Sequence, residues 1–145
     1  MSKSVLISAC LVGENCRFDG EHSLRNELLE LLEGKDLIPV CSEVEGGLSV
    51  PRPPAEIRAG RVYRQSGEDV TSNFNKGAEI CLKLGKTHEA TLAILKSRSP
   101  ACGCGQVYDG SFSGKLVEGD GIFTKTLKNA GIECISDEDY LSNIS

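Results

Sequence analysis

Seven cysteines in 145 residues are the feature of this chain that could do chemistry. Three of them, Cys10, Cys41 and Cys102, stand at or just beyond the end of a short apolar run, and each opens into a segment bearing Gly or Pro. One buried cysteine is ordinarily a small packing residue. Three at equivalent positions suggest thiols that meet in space, as metal ligands or nucleophiles. Clustered thiolates could take zinc as a Cys3His site with His22 or His88. They could also hold an iron–sulfur cube, which normally takes four thiolates. With three, one iron stays open as a Lewis acid able to grip a soft sulfur atom. Cys16 is either a fourth ligand or a loop residue, and Cys104 of Cys102-Gly103-Cys104 could stand in for Cys102. Cys81 and Cys134 fall in apolar patterns and read as packing. Glu43 and Glu45 follow Cys41; extended, they would point to the same side, where either could place a base. A solvated acidic loop is the plainer alternative.

Those residues must be positioned by strands and helices. Val5–Cys10, Leu37–Cys41 and Thr91–Leu95 read as buried strands, with Pro39 weakening the second. The leucines from Leu24 to Leu32 recur at helical spacing, with Ser23 as a cap and Gly34 as a stop. The stretch 43–59 reads as irregular because of its Gly and Pro residues. Arg61–Gln65 reads as one arm of a hairpin, and Thr71 as the cap of a helix ending near Gly85. A loop is expected over 97–121, then a last helix at Ile122–Asn129 and a final strand at Ile132–Ile135. Strands alternating with helices predict an α/β fold, a Rossmann-like and mostly parallel sheet flanked by helices. In such a sheet, ligands gather at the carboxyl ends of the strands, where the three cysteines lie.

Composition narrows the partners. Apolar residues at 39% and charged residues at 26% are an ordinary globular balance. The net charge of −5, no tryptophan and 5% aromatics argue against a nucleic-acid surface. No apolar run reaches the length of a membrane span, and Met1-Ser2-Lys3-Ser4 leads directly into an apolar strand. A cytoplasmic protein, monomer or homodimer, is expected, with thiols kept reduced and not paired as disulfides.

Longer motifs connect these residues. Ser8-Ala9-Cys10-Leu11-Val12-Gly13, Cys16-Arg17-Phe18-Asp19-Gly20, Val40-Cys41-Ser42-Glu43 and Pro51-Arg52-Pro53-Pro54-Ala55-Glu56-Ile57 occur in that order. Gly67-Glu68-Asp69-Val70-Thr71, the run Ile94 to Gly103, the run Tyr108 to Gly114 and Gly119-Asp120-Gly121 complete the pattern. Over nearly its whole length the chain resembles the thiouracil desulfidases, small bacterial single-domain proteins. The resemblance implies one such domain over residues 1–145. It further implies non-redox desulfidation of a thiolated pyrimidine, 2-thiouracil going to uracil and sulfide. The implied cofactor is a [4Fe-4S] cluster held by Cys10, Cys41 and Cys102, its open iron taking the substrate's sulfur. The family's carboxylate matches Glu45, the implied general base. Members commonly read Ser-Pro-Ser-Cys-Gly where this chain has Ser99-Pro100-Ala101-Cys102-Gly103. Ala101 therefore replaces a serine implicated in handling substrate, which implies impaired turnover. Arg52 and Arg98 could bond a pyrimidine carbonyl, or serve as structural ion pairs. Two other classes fit the thiols. A noncatalytic iron–sulfur or sulfur-carrier module would hold a cluster without desulfidating anything. A cluster-free cysteine redox enzyme would use Cys102 to attack and Cys104 to resolve.

Overall fold

A computed structural model describes residues 4–144; the expectation placed on Met1–Lys3 lies outside them. Four parallel strands form the central sheet: β1 (Ser4–Ser8), β2 (Asp36–Val40), β5 (Leu92–Leu95) and β8 (Glu133–Ser136), in the order β2-β1-β5-β8. All five residues of β1 are buried, as a strand covered on both faces must be. Its side chains alternate between two cores. Leu6 joins Phe74, Ala78 and Cys81 of α3 (Thr71–Thr87) and Phe123 and Leu127 of α4 (Ile122–Asn129). Val5 and Ile7 join Leu28 of α1 (Asn26–Leu31) and Tyr140 of α5 (Asp137–Ile144). The result is the expected α/β sandwich, with helices on both faces of a parallel sheet. Pro39 is tolerated because β2 is an edge strand, paired with β1 alone.

Several local expectations change. Ser23 does not cap α1, because its hydroxyl accepts from Arg17 Nη1 at 3.1 Å, and the helix begins only at Asn26. Thr71 is the first residue of α3; the Asp69 carboxylate takes its backbone N–H at 2.9 Å. Gly85 does not stop α3, which runs on to Thr87. It is a packing residue: a Cβ there would come within 2.7 Å of Leu6 Cδ1. The stretch 43–59 contains a one-turn helix, α2 (Ser42–Glu45), and β3 (Ala55–Arg58), which pairs antiparallel with β4 (Arg61–Arg64). The loop 97–121 carries a second small ribbon, β6 (Gln106–Tyr108) with β7 (Leu116–Glu118). The helix α5 follows β8 and was not legible as a helix.

Two features aim this scaffold at one point. From β1 the chain crosses to β2 on one side and later returns as β5 on the other. That reversal opens a crevice at the carboxyl ends of the strands. The second feature is the fit of α2 against α3. A Cβ at Gly77 would collide with the Ser42 carbonyl, and one at Gly46 with the Asn73 carbonyl. Asn73 Nδ2 also donates to the Gly46 carbonyl at 2.9 Å. Backbone therefore lies on backbone, and α2 is fixed just after Cys41. Among the described residues, no helix is long and apolar enough to cross a membrane.

Candidate functional site

The crevice holds a cavity of about 450 Å³. Cys10 reaches it from the 3-10 turn Ala9–Val12 that follows β1, and Cys41 from the residue after β2. Cys102 reaches it from the turn beyond β5. Three thiols separated by 31 and 61 positions thus share one wall system, together with Cys16. The Cys16 thiol lies against those of Cys10 and Cys41; chiefly through its hydrogen bond to Cys10, its pKa is pushed up to about 11. Burial drives Cys102 well above the ordinary thiol range, while the Ser8 hydroxyl opposes the shift. Cys41 is also raised, first by its hydrogen bond with Cys16 and then by burial. Without a cation to stabilise them, these thiols stay protonated and are poor nucleophiles. Bound metal reverses that, since a coordinating thiol is deprotonated outright.

A zinc site of the Cys3His type finds no support. Neither His22 nor His88 lines the cavity. Among the described residues, no group of three or more His, Cys, Asp or Glu side chains is arranged to hold a metal ion. The cavity wall is also incompletely bonded. Among the described residues, Ser42 Oγ, Arg52 Nε and Thr124 Oγ1 are the buried side-chain polar atoms without a partner. The first two belong to residues lining this cavity. Unpaired buried polar atoms are costly and rare in native proteins. Both atoms are closed off from the cavity itself, so its fit to a guest rests on the donor set: thiols from Cys10, Cys16, Cys41 and Cys102 on one wall suit a multi-iron centre held by thiolates.

The two glutamates separate. The segment is helical, not extended, so residues two apart point about 200° away from each other around the axis. Glu43 faces the cavity, with its Oε2 3.4 Å from Arg52 Nη2. Burial raises its pKa, and the Arg52 guanidinium pulls the other way. Glu45 is exposed and lines a neighbouring hollow with Ile80, Cys81 and Leu84. The position expected to carry the base therefore lies outside the cavity, and the carboxylate within it is Glu43.

The serine expectation shifts similarly. Ala101 lines the cavity and is only 2% exposed, with no hydroxyl to offer. Two residues earlier, Ser99 lines it as well. Its Oγ accepts the backbone N–H groups of Ala101 and Cys102, each at 3.0 Å. That hydroxyl shapes the turn carrying Cys102 and still has its own proton to donate. The clue lay in Ser-X-Ser spacing ahead of the cysteine: Ser97, Ser99 and position 101 all line the cavity, and sequence alone does not say which of them bonds the turn of Cys102.

The remaining candidates fall into place by contact. Arg98 is held in a fork on Glu138, both bonds at 2.9 Å, so it is a structural ion pair on the cavity rim. Cys104 turns away from the cavity, its thiol 3.6 Å from the Cys134 carbonyl. It is therefore not poised to resolve a bond formed at Cys102. Cys81 is fully buried in the core, and burial pushes its thiol up to about 12. Asp109 accepts the Ser111 N–H of its own turn, and Asp120 accepts the Gly105 N–H at 2.8 Å, tying its turn to the segment after Cys104. Phe18 was not singled out by sequence; it is 42% exposed and stands in the cavity wall. Tyr108 is there too.

Known proteins resemble this chain. The "Uncharacterized protein YbbK" of Bacillus subtilis (strain 168) is 39% identical over 145 residues, spanning 93% of this chain and 96% of that protein. A solved structure described as a "[4Fe-4S]-dependent thiouracil desulfidase TudS" superposes with a TM-score of 0.90 at 39% identity, covering 95% of this chain and 93% of that one. The description of the matching family, 2-thiouracil desulfurase, applies to residues 5–139. With the match running from β1 into α5, so that every cavity-lining thiol falls inside it, this chain belongs to the 2-thiouracil desulfurase family.

Proposed function

We propose that this chain is an iron–sulfur enzyme that cleaves the carbon–sulfur bond of 2-thiouracil by hydrolysis, without net redox change. The observation carrying the reading is the convergence of Cys10, Cys41 and Cys102 on one cavity whose wall also holds Glu43 and Ser99. Cys10, Cys41 and Cys102 would hold a [4Fe-4S] cluster. When bound, that cluster supplies an open iron, a Lewis acid that draws electron density through the substrate's sulfur.

The chain's own groups do the rest. Glu43 accepts a proton from the water that attacks carbon 2 of the ring. Its partial burial beside Arg52 keeps it close to the reacting atoms and largely out of bulk solvent. Ser99 donates its hydroxyl proton toward the substrate or the attacking water, while its oxygen holds the turn of Cys102. Phe18 and Tyr108 offer aromatic faces to a planar ring. In this reading Ala101 costs the chain no catalytic hydroxyl, because Ser99 supplies it.

The deciding experiment is anaerobic purification with iron and sulfide quantitation, followed by assay on 2-thiouracil. About four irons per chain and release of uracil with sulfide support the reading. About one zinc per chain, or a full cluster with no uracil formed, overturns it.

A further inference from the structure

Two of the sequence motifs, Pro51–Ile57 and Tyr108–Gly114, lie far apart in the chain and meet in the structure through one carboxylate. Ala55 and Ile57 of β3 pack against the core, so the alternation of the strand turns Glu56 to its other face. Glu56 lines the cavity, and its Oε1 accepts two backbone N–H groups, Gly110 at 3.0 Å and Phe112 at 3.1 Å. The ribbon's own bonds do not reach β3. They pair Gln106–Tyr108 with Leu116–Glu118 and close the turn with the Asp109 N–H on the Lys115 carbonyl at 2.9 Å. The turn nevertheless lies tight on β3, since a Cβ at Gly110 would come within 2.8 Å of the Ile57 carbonyl. Phe112 has a φ of 57°, a left-handed conformation that an L side chain keeps only where its surroundings impose it. Tyr108 is therefore held between two tethers. Val107, just before it, forms a parallel bridge with Arg98, and Gly110, two residues after it, is bound by Glu56. The same Pro51–Ile57 motif holds the cavity's other aromatic residue. The Arg52 N–H donates to the Phe18 carbonyl at 2.7 Å, and Arg52 Nη2 donates to the Cys16 carbonyl at 2.9 Å.

We propose that Glu56 is a positioning residue for substrate binding. By accepting the Gly110 and Phe112 N–H groups it pins the turn 109–114 to β3, and so fixes Tyr108 in the cavity wall as a face for the pyrimidine ring. Glu56 acts through Tyr108 and takes no part in the carbon–sulfur cleavage, which Glu43 and Ser99 serve on another part of the wall. The inference rests on the desulfidase reading above and adds to it the device that holds one side of the ring site in place.

The test compares the iron-loaded wild type with Glu56→Ala and Glu56→Gln. Stacking of a base on an aromatic side chain is worth about 5- to 100-fold in binding. Glu56→Ala should raise both the KM for 2-thiouracil and the inhibition constant of uracil by a factor in that range, with kcat within about threefold of wild type. Glu56→Gln should restore both constants, because its amide oxygen accepts the same two N–H groups. In a Tyr108→Ala background, Glu56→Ala should add less than about twofold, since its effect passes through the ring already removed. A fall in kcat with KM unchanged, failure of Gln to rescue, or full additivity with Tyr108→Ala would overturn the proposal while leaving the desulfidase reading intact. Absence of 2-thiouracil turnover by iron-loaded wild type would remove that reading, and this inference with it. A measurement on the native enzyme alone guards against a variant that misfolds. Uracil at ten times its Kd should slow amide exchange of Gly110 and Phe112 about 10-fold, because a ring bound on Tyr108 favours the pinned turn. Unchanged exchange at those two amides would overturn the proposal.

Discussion

Glu43 and Glu45 sit two positions apart and reach different hollows because just over half a helical turn separates their directions. Replacing Glu43 by Gln should lower kcat on 2-thiouracil by about 10²- to 10⁴-fold, the usual contribution of a positioned base. Glu45→Gln, on an exposed carboxylate outside the cavity, should leave kcat within about twofold. The reverse outcome in a steady-state assay would return the base to Glu45. The serine pair is tested in the same way. Ser99→Ala should reduce turnover, whereas Ala101→Ser should change it little, because position 101 is packed and the proposed mechanism draws its hydroxyl from Ser99. Phe18 offers a direct view of binding. The chain has no tryptophan, so Phe18→Trp would place a lone indole on the cavity wall. Its fluorescence should fall as 2-thiouracil binds; an unchanged spectrum at saturating ligand would remove Phe18 from the binding surface.

At the scale of elements, the site depends on how tightly α2, α3 and α5 hold their loops. Gly77→Ala would drive a methyl group into the Ser42 carbonyl, where neither helix backbone can yield easily. Overpacking of this kind costs about 1 to 3 kcal/mol. Because Cys41 adjoins α2, iron content should fall along with the melting temperature. Asp137 does a comparable task from α5. It is fully buried, takes the Ser97 N–H at 2.9 Å and pairs with Arg25 at 2.9 Å, anchoring the segment that leads to Ser99 and Cys102. The start of α3 brings a pH dependence. Hydrogen bonds from the Thr71 side chain and backbone, followed by that from Arg61, hold the Asp69 carboxyl below its ordinary 3.8, at about 2. Its stabilisation is complete above the ordinary carboxylate range and is lost as the pH falls from about 4 toward 2. Acid unfolding of Asp69→Asn should lack that component, which a denaturation series between pH 5 and 2 would reveal.

At the scale of the molecule, folding and cofactor binding are linked. Thiols drawn from three separate loops are held together by the sheet, and a group that binds only the folded chain stabilises it by mass action. Stripping iron with a chelator should therefore lower the melting temperature. Replacing Cys10, Cys41 or Cys102 by Ala should remove iron and that stabilisation together, whereas Cys104→Ala, outside the cavity beside Cys134, should leave the iron content unchanged. Full iron content after any one of the three replacements would argue that the cysteine replaced does not hold it.

How much of this was legible in the sequence follows from the range of the forces involved. The strands bearing Cys10 and Cys41, the helix α4 and the alternation that makes a parallel sheet are local or periodic properties, and the residues carry them openly. So is the placing of thiols at strand ends, which a right-handed α/β winding must bring to one edge. Tertiary structure decided what periodicity cannot express. The turn that became α2 is too short to show a helical period, yet it separates Glu43 from Glu45. Ser99 was indistinguishable from its neighbours until the backbone of Ala101 and Cys102 folded over its hydroxyl. The unmet donor of Arg52 exists only because burial has removed water from it. Sequence identified the chemical groups because their types and intervals are written in the chain. Direction, burial and unmet hydrogen bonds are relations between distant segments, and they arise only once those segments are packed.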